Sequence, residues 1–354
     1  MEAREQGQKV VVMITSPLEA EHAARIASVD PERVELIYRP DLMPPPRYPA
    51  DHNGPADWPG YAERRPEWRR LLQRAEVLWD FPVGEDAPLS ELCPRLRWVQ
   101  TTSAGVGMLV KRLGLQGSDL IITTASGVHA GPLTEFVFAA LLYHTKRLAD
   151  LQSWQRAHHW ERFASGELRG KTLAIVGPGR IGREVARIGR AFGMTVWATA
   201  SRYDPARAAE LGVDRLFPLE DLRAMLSGAD AVVLCCPHTP ETEGLIGPAE
   251  IASLKRGVVF INIARGAVVD EDALVAALHE GKIGFAALDV FRTEPLPKSS
   301  PLWDAPNVLI NPHSASTAYD ENARITEIFC RNLRCYLAGR YDEMSPVLDT
   351  RRLY

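Results

Sequence analysis

The chain is poor in lysine, in cysteine and in long apolar runs, and it carries almost no excess charge. Of its 41 basic residues only 7 are lysine. That bias alone decides neither function nor thermostability. Five cysteines in 354 residues, an odd number without a C-x-x-C pair or matched His/Cys spacing, exclude a disulfide framework and a zinc site. They read as buried free thiols in a reducing cytosol. His158 and His159 are adjacent but lack a matching ligand pair, so they read as surface residues, and no metal is expected. The longest uninterrupted apolar run is Phe136–Tyr143, far short of the ~20 residues of a membrane span. A formal charge of −4 leaves no electrostatic footprint for nucleic acid or an anionic membrane. The first eight residues, MEAREQGQ, are polar and mixed in charge and do not read as a signal peptide. The expectation is a cytoplasmic protein with neither a nucleic-acid nor a membrane partner.

What is present is the material of a globular protein. Apolar residues make up 46% and charged ones 24%, and the length suggests two domains. Short apolar runs alternate with helical patterns, which predicts parallel sheets covered by helices. In the first third, strands are expected at Lys9–Thr15, Val34–Tyr38, Glu76–Phe81, Leu96–Thr102 and Leu120–Thr124. Helix is expected at Pro17–Ser28 and around Glu67–Arg74. Between them Pro40–Pro66 holds eight of the 26 prolines, which argues against regular helix or a central strand there.

A new element begins at Gly131-Pro132, with proline suited to a first helical turn. The residues after it are apolar round most of the helix, which predicts burial on several sides and a domain or subunit boundary. Leu151–Arg169, with Trp154 and Trp160, reads as a connector or arm. Further strands are expected at Thr172–Val176, Thr195–Ala200, Ala231–Cys236, Val258–Ala264, Phe285–Val290 and Val308–Asn311, with a final amphipathic helix over Thr317–Leu337. The near-continuous apolar strands suit a sheet covered on both faces.

Gly177-Pro178-Gly179-Arg180-Ile181-Gly182 follows the strand TLAIV and opens a helical pattern. In such a fingerprint Gly177 permits the tight turn, Gly179 lets backbone approach a pyrophosphate, and Gly182 allows close helix–strand packing. The helix N-terminus adds N–H groups and partial positive charge, so dinucleotide binding is expected here. The next strand runs into Ala200-Ser201-Arg202. No carboxylate stands at its end to hold a ribose 2′-OH. Ser201 and Arg202 could instead hold a 2′-phosphate, which favours NADP(H). NAD(H) remains the alternative, with Asp204 reaching back to the ribose.

Ligands of doubly wound sheets bind outside the carboxyl ends of the strands. Arg265 follows VVFINIA, Asp289 follows FAAL with Glu294 a short loop later, and His313 follows VLINP. An arginine suits a carboxylate beside a carbonyl. A histidine suits the proton transfer that must accompany hydride transfer. A carboxylate beside it would favour the imidazolium form. The set fits oxidoreduction of a 2-hydroxy or 2-oxo acid. Each residue also has a bland reading: Arg265 paired with Asp270, Glu294 in a solvated turn, His313 as a satisfied core histidine. Their joint clustering at one edge favours the site.

The segments VGPGRIGREVARIGRAFG, VVLCCPHTPETEGLI, LKRGVVFINIARGAVVDEDALVAAL, AALDVFRTEPLP and NVLINPH together resemble the D-isomer-specific 2-hydroxyacid dehydrogenase family over most of residues 170–315. The resemblance implies two doubly wound parallel-sheet α/β domains, Rossmann-like or flavodoxin-like, with the active site in the cleft between them. A discontinuous substrate domain (1–124 with 315–354) would enclose a dinucleotide domain (125–314). It implies Arg265, Glu294 and His313 as the catalytic trio, with Arg265 and His313 also touching substrate. Asp289 would hold the nicotinamide amide. Pro237, Thr239 and Ile263 would line the cofactor path beside Arg180 and Ile181. WVQTTSAGVG resembles the loop whose amides hold the substrate carboxylate, here Ala104, Gly105 and Val106. Family members are usually dimers, which implies a homodimer through the 133–148 helix and the following arm.

Several positions depart from the common pattern. Ala200 stands where most NAD-using relatives carry Asp. Glu294 is not the Gln of formate dehydrogenases. Val106-Gly107 lacks the Asp that often follows the substrate loop. The WDFP segment around Trp79 resembles the glyoxylate/hydroxypyruvate reductase branch. The implied activity is NADP(H)-linked reduction of a small 2-oxo acid. The alternatives are an NAD(H)-linked dehydrogenase of a larger D-2-hydroxy acid, and a dinucleotide-sensing regulator on the same fold.

Overall fold

Val10–Ile14 is apolar and buried at every position, which a strand manages only with structure packed on both faces. It is the first strand, β1, of a computed structural model that describes residues 9–353 apart from 56, 83 and 86. The polar first eight residues, on which the signal-peptide expectation rests, lie outside the described residues. The chain forms two compact units: residues up to His129 together with Thr317 onward, and Ala130–Ser316. The sequence reading put these boundaries at 124/125 and 314/315.

In the first unit β1 is joined by β2 (Val34–Ile37), β3 (Val77–Trp79), β4 (Trp98–Gln100) and β5 (Ile121–Thr123). All neighbouring pairs are parallel, in the order β2-β1-β3-β4-β5. This is the doubly wound order that reverses between β1 and β3. The helix Glu321–Leu337 returns from the far end of the chain to this core. Its Phe329 stacks on Trp98 at 4.9 Å and lies 5.6 Å from Trp79. The Trp98 indole N–H, which needs a partner when buried, donates to Thr123 Oγ1 at 2.7 Å.

The proline-rich stretch corrects the sequence reading. Helix runs over Gly60–Leu72 with Pro66 inside it, and Pro40–Leu42 is a 3₁₀ turn. Pro66 withholds one N–H and crowds the preceding turn. Burial of Trp68, Leu71 and Leu72 outweighs that loss. The loop between is built on Asp51, which accepts from the Arg47 guanidinium (2.7 and 3.0 Å) and from the N–H groups of Arg47, Asn53 and Gly54. Burial raises the Asp51 pKa, but these bonds outweigh it and hold the carboxyl at about 2. His52, the next residue, places Nε2 3.3 Å from Glu321 Oε1.

The second unit holds β6 (Thr172–Val176), β7 (Thr195–Thr199), β8 (Arg215–Phe217), β9 (Ala231–Leu234), β10 (Val258–Asn262), β11 (Ile283–Leu288) and β12 (Val308–Ile310). They form one parallel sheet in the order β12-β11-β10-β9-β6-β7-β8. The order reverses between β6 and β9, the dinucleotide-fold arrangement. The sequence reading missed β8, a three-residue strand at the sheet edge. The apolar helix Ala130–Thr145 buries Leu133, Val137, Phe138 and Leu141 among the side chains of β6 and the helix Arg180–Ala191. The expected arm starts as a helix, Leu148–Arg156, and continues without regular structure. Its Trp160 is 92% exposed.

Candidate active site

The carboxyl edge of the second sheet gathers nearly every candidate. Across it from β12 to β7 follow His313, then Asp289 and Glu294, then Ile263 and Arg265, then Pro237 and Thr239, then the glycine loop, then Ser201 and Arg202. The sequence ranks these residues by chain position. The sheet order ranks them by place.

The glycine loop has three distinct geometries. Gly177 has φ +94°, and a Cβ there would fall within 2.9 Å of Cys236 backbone, just past the end of the neighbouring β9. At Gly182 a Cβ would lie 2.5 Å from the Gly177 carbonyl oxygen, so the helix Arg180–Ala191 can approach its strand only with glycine there. Gly179 is different. Its φ is −75°, open to any residue, and a Cβ would meet nothing within 4 Å. No protein atom explains the glycine, and space beside the first turn of a helix is what a pyrophosphate needs. First-turn N–H groups have no intrahelical acceptor. The residues therefore fit a dinucleotide. Among the described residues no cluster of three or more His, Cys, Asp or Glu is arranged to hold a metal.

At the next strand end Ser201 and Arg202 are exposed. Asp204, the alternative ribose ligand, turns Oδ1 onto the Ala206 N–H at 3.0 Å and caps a 3₁₀ turn. Beyond β9 a residue the sequence reading passed over knits the loop. Thr242 Oγ1 accepts from Thr239 N–H at 2.8 Å and donates to the Pro237 carbonyl at 2.7 Å. Ile263 is buried, and its N–H donates to Leu234 O at 3.2 Å.

The trio converges by backbone as well as side chain. A Cβ at Gly266 would sit 1.9 Å from the Phe291 carbonyl carbon, so the loop carrying Arg265 lies directly on the loop carrying Glu294. Glu294 accepts from Phe291 N–H at 2.9 Å with one oxygen and pairs with His313 Nδ1 at 2.7 Å with the other. Burial raises the Glu294 pKa. The His313 bond, the Phe291 N–H and the Arg265 charge outweigh it and hold the carboxyl below its ordinary value. An ionised carboxylate only accepts, so the Nδ1 of His313 carries the proton of that bond. Burial lowers the Arg265 pKa, against the nearby charges of Glu294 and Asp289. Its Nη1 donates to Ala264 O at 2.6 Å.

Asp289 has a structural role that the sequence reading did not assign. Its Oδ1 accepts from Asn311 Nδ2 (2.6 Å), Ser314 N–H (2.9 Å) and Ala315 N–H (3.0 Å). These donors flank His313 on both sides. His313 itself has φ +53°, a conformation L-residues keep only where surroundings over-determine it. Asp289 supplies that constraint. Asn311 was not singled out in sequence, although an amide two residues before a strand-end histidine is the one signal available.

In the first unit Ala104, Gly105 and Val106 form the turn between β4 and the helix Gly107–Arg112. The turn is held from below. Thr101 Oγ1 donates to Ser103 O at 2.7 Å. Thr102 donates its hydroxyl to the Asp80 carboxylate, which also accepts from Phe81 N–H at 2.8 Å. Neither Asp80 nor Thr102 was named from sequence.

Comparison with known proteins identifies the family of the chain. Residues 138–315 match the family model of the D-isomer specific 2-hydroxyacid dehydrogenase NAD-binding domain. A glyoxylate reductase of Aeropyrum pernix is 36% identical over 292 residues, 78% of this chain and 84% of that protein. A D-3-phosphoglycerate dehydrogenase of Mycobacterium leprae is 37% identical over 303 residues, which cover 80% of this chain and 54% of that one. Among solved structures, a D-isomer specific 2-hydroxyacid dehydrogenase family protein from Aeromonas salmonicida superposes with TM-score 0.78 at 27% identity. The match covers 97% of this chain and all of that one. A D-isomer specific 2-hydroxyacid dehydrogenase from Xanthobacter autotrophicus, in complex with NADPH and MES, superposes with TM-score 0.74 at 28% identity over 98% of this chain. The chain belongs to the D-isomer-specific 2-hydroxyacid dehydrogenase family, enzymes that interconvert 2-hydroxy and 2-oxo acids with a nicotinamide cofactor.

Proposed function

We propose that the protein reduces 2-oxo acids to D-2-hydroxy acids with NADPH, with glyoxylate or hydroxypyruvate as the smallest acceptors. The observation that carries the reaction is the His313–Glu294 pair at 2.7 Å beside Arg265. The bound nicotinamide supplies the hydride. Arg265 binds the substrate carboxylate and polarises its carbonyl. Glu294 fixes Nδ1 of His313, which leaves Nε2 to give the proton to the carbonyl oxygen. In the first unit, the amides of Ala104, Gly105 and Val106 are the groups suited to bind a substrate carboxylate.

The 2′-phosphate falls to Ser201 and Arg202, because Asp204 is committed to its own turn and NADPH occupies a related enzyme of 28% identity. Gly177, Gly179, Arg180, Ile181 and Gly182 cradle the pyrophosphate, Pro237, Thr239 and Ile263 line the cofactor, and Asp289 holds the carboxamide. The first unit binds substrate and the second binds cofactor. Two copies pair through the 133–148 helix and the arm that leaves Leu148, Leu151 and Trp160 exposed. Five free thiols, four of them buried, support a reducing, cytoplasmic setting.

The test is kcat/KM for glyoxylate with NADPH and with NADH, repeated in Arg202→Ala. NADPH should be preferred, and the substitution should reduce that preference at least tenfold. A mutant that keeps its NADPH preference would remove Arg202 from the phosphate site.

A further inference from the structure

We infer that the preferred acceptor is a 2-oxo acid with a bulky apolar side chain, branched or aromatic, which enters a cavity in the first unit beside the 104–106 turn. The inference rests on the proposal that this turn holds the substrate carboxylate. The cavity lies at the carboxyl ends of β3 and β4 and measures about 450 Å³. That is within the usual range of small-molecule pockets, roughly 300–1,000 Å³. On the same scale a single water needs about 10–15 Å³, so a two-carbon acid would leave most of the space to solvent.

Ser103 and Val106, the residues bracketing Ala104 and Gly105, both line the cavity. A carboxylate on those amides therefore has its side chain at the cavity mouth. Phe81, Leu89, Leu92 and Val106 contribute walls that are themselves buried, and Leu109 stands beside them. The two carboxylates in the lining are already engaged. Asp80 takes Thr102 and Phe81, and Glu85 takes Arg69 at 2.8 Å. Arg112 lies at the exposed rim. The other polar groups of the lining are His52, whose Nε2 pairs with Glu321 at 3.3 Å, Asn53, and the hydroxyls of Thr102 and Ser103. The larger share of the lining is hydrocarbon, and one added methylene against an apolar wall changes selectivity by about 10–200-fold.

The experiment compares kcat/KM with NADPH for glyoxylate, 4-methyl-2-oxopentanoate, phenylpyruvate and 2-oxoglutarate, in the wild type and in Leu109→Trp. The branched or aromatic acid should exceed glyoxylate at least tenfold, and Leu109→Trp should shift that ratio at least tenfold towards glyoxylate. Equal or better turnover of glyoxylate overturns the inference and leaves the reductase reading standing. A preference for 2-oxoglutarate overturns it in favour of Arg112 as an anion site. If no acid turns over, calorimetric titration of the NADPH-loaded protein separates the two readings. Tenfold tighter binding of 4-methyl-2-oxopentanoate than of glyoxylate keeps the cavity assignment and counts against the reductase reading alone. No difference in binding overturns the cavity assignment.

Discussion

His313 sits at φ +53°, where an L-residue gives up roughly 1–2 kcal/mol. Three donors around it converge on one oxygen of Asp289, and Glu294 fixes its ring. Both constraints serve one outcome, a ring nitrogen aimed at a fixed point. Replacing His313 by Ala should therefore lower kcat about 10²–10⁴-fold while the Kd for NADPH, measured by fluorescence titration, changes less than about threefold. Unchanged turnover would remove His313 from proton transfer. Residues of this kind were legible in sequence because charged side chains directly after buried strands are unusual unless something binds there. Asp80, Asp289's clamp, Thr242 and His52 were not legible. Their partners lie 22 residues or more away, as with Asp80 and Thr102, or on loops whose course periodicity does not describe.

Among elements, the glycine loop and its helix separate stability from binding. Gly179→Val adds a side chain where the protein has no atom within 4 Å. Its unfolding free energy should stay within about 0.5 kcal/mol of wild type, as for a surface change, while NADPH affinity falls at least tenfold. Gly182→Ala drives a methyl into the Gly177 carbonyl and should cost about 1–3 kcal/mol of stability. Urea unfolding and NADPH titration of the two variants check this, and equal effects on both readouts would discard the assignment. The strands of the second sheet were legible because each is a run of apolar residues covered on both faces. β8 escaped because only Leu216 and Phe217 are buried in it. Of the helix through Pro66 only the first half escaped. Helix was expected around Glu67–Arg74, while the prolines flanking residues 60–65 argued against it there, and the burial of Trp68, Leu71 and Leu72 that anchors the whole helix is a tertiary effect.

At the scale of the whole chain, the first unit must be sewn together from two distant segments. Glu321, the first residue of the returning helix, meets His52 and His129 at 3.3 Å each. Burial raises the Glu321 pKa, but the two histidines outweigh it and bring the carboxyl from 4.5 to about 2. A depressed carboxylate stabilises the fold above its unfolded pKa and loses that contribution as pH falls through its folded pKa. The window is therefore about pH 4.5 to 2, and the shift corresponds to about 3 kcal/mol. Urea unfolding across that range should show a steep acid limb in the wild type and a flatter one in Glu321→Gln. Identical limbs would dismiss the role. The proposed pairing of two copies through the arm has its own check. Sedimentation should give a dimer at micromolar concentration and a monomer for Leu151→Glu. The discontinuity itself came from family resemblance, since no local pattern tells a chain that its last helix belongs with its first strands.

The order of loops along the second sheet has a practical consequence. Five strand spacings of about 4.8 Å separate the end of β7, with Arg202, from the end of β12, with His313. Substitutions that far apart and without a shared protein partner should add in their effects on stability. On the proposed function, Arg202 could then be exchanged to rewrite the cofactor preference while the Glu294 and Asp289 bonds around His313 stay as they are.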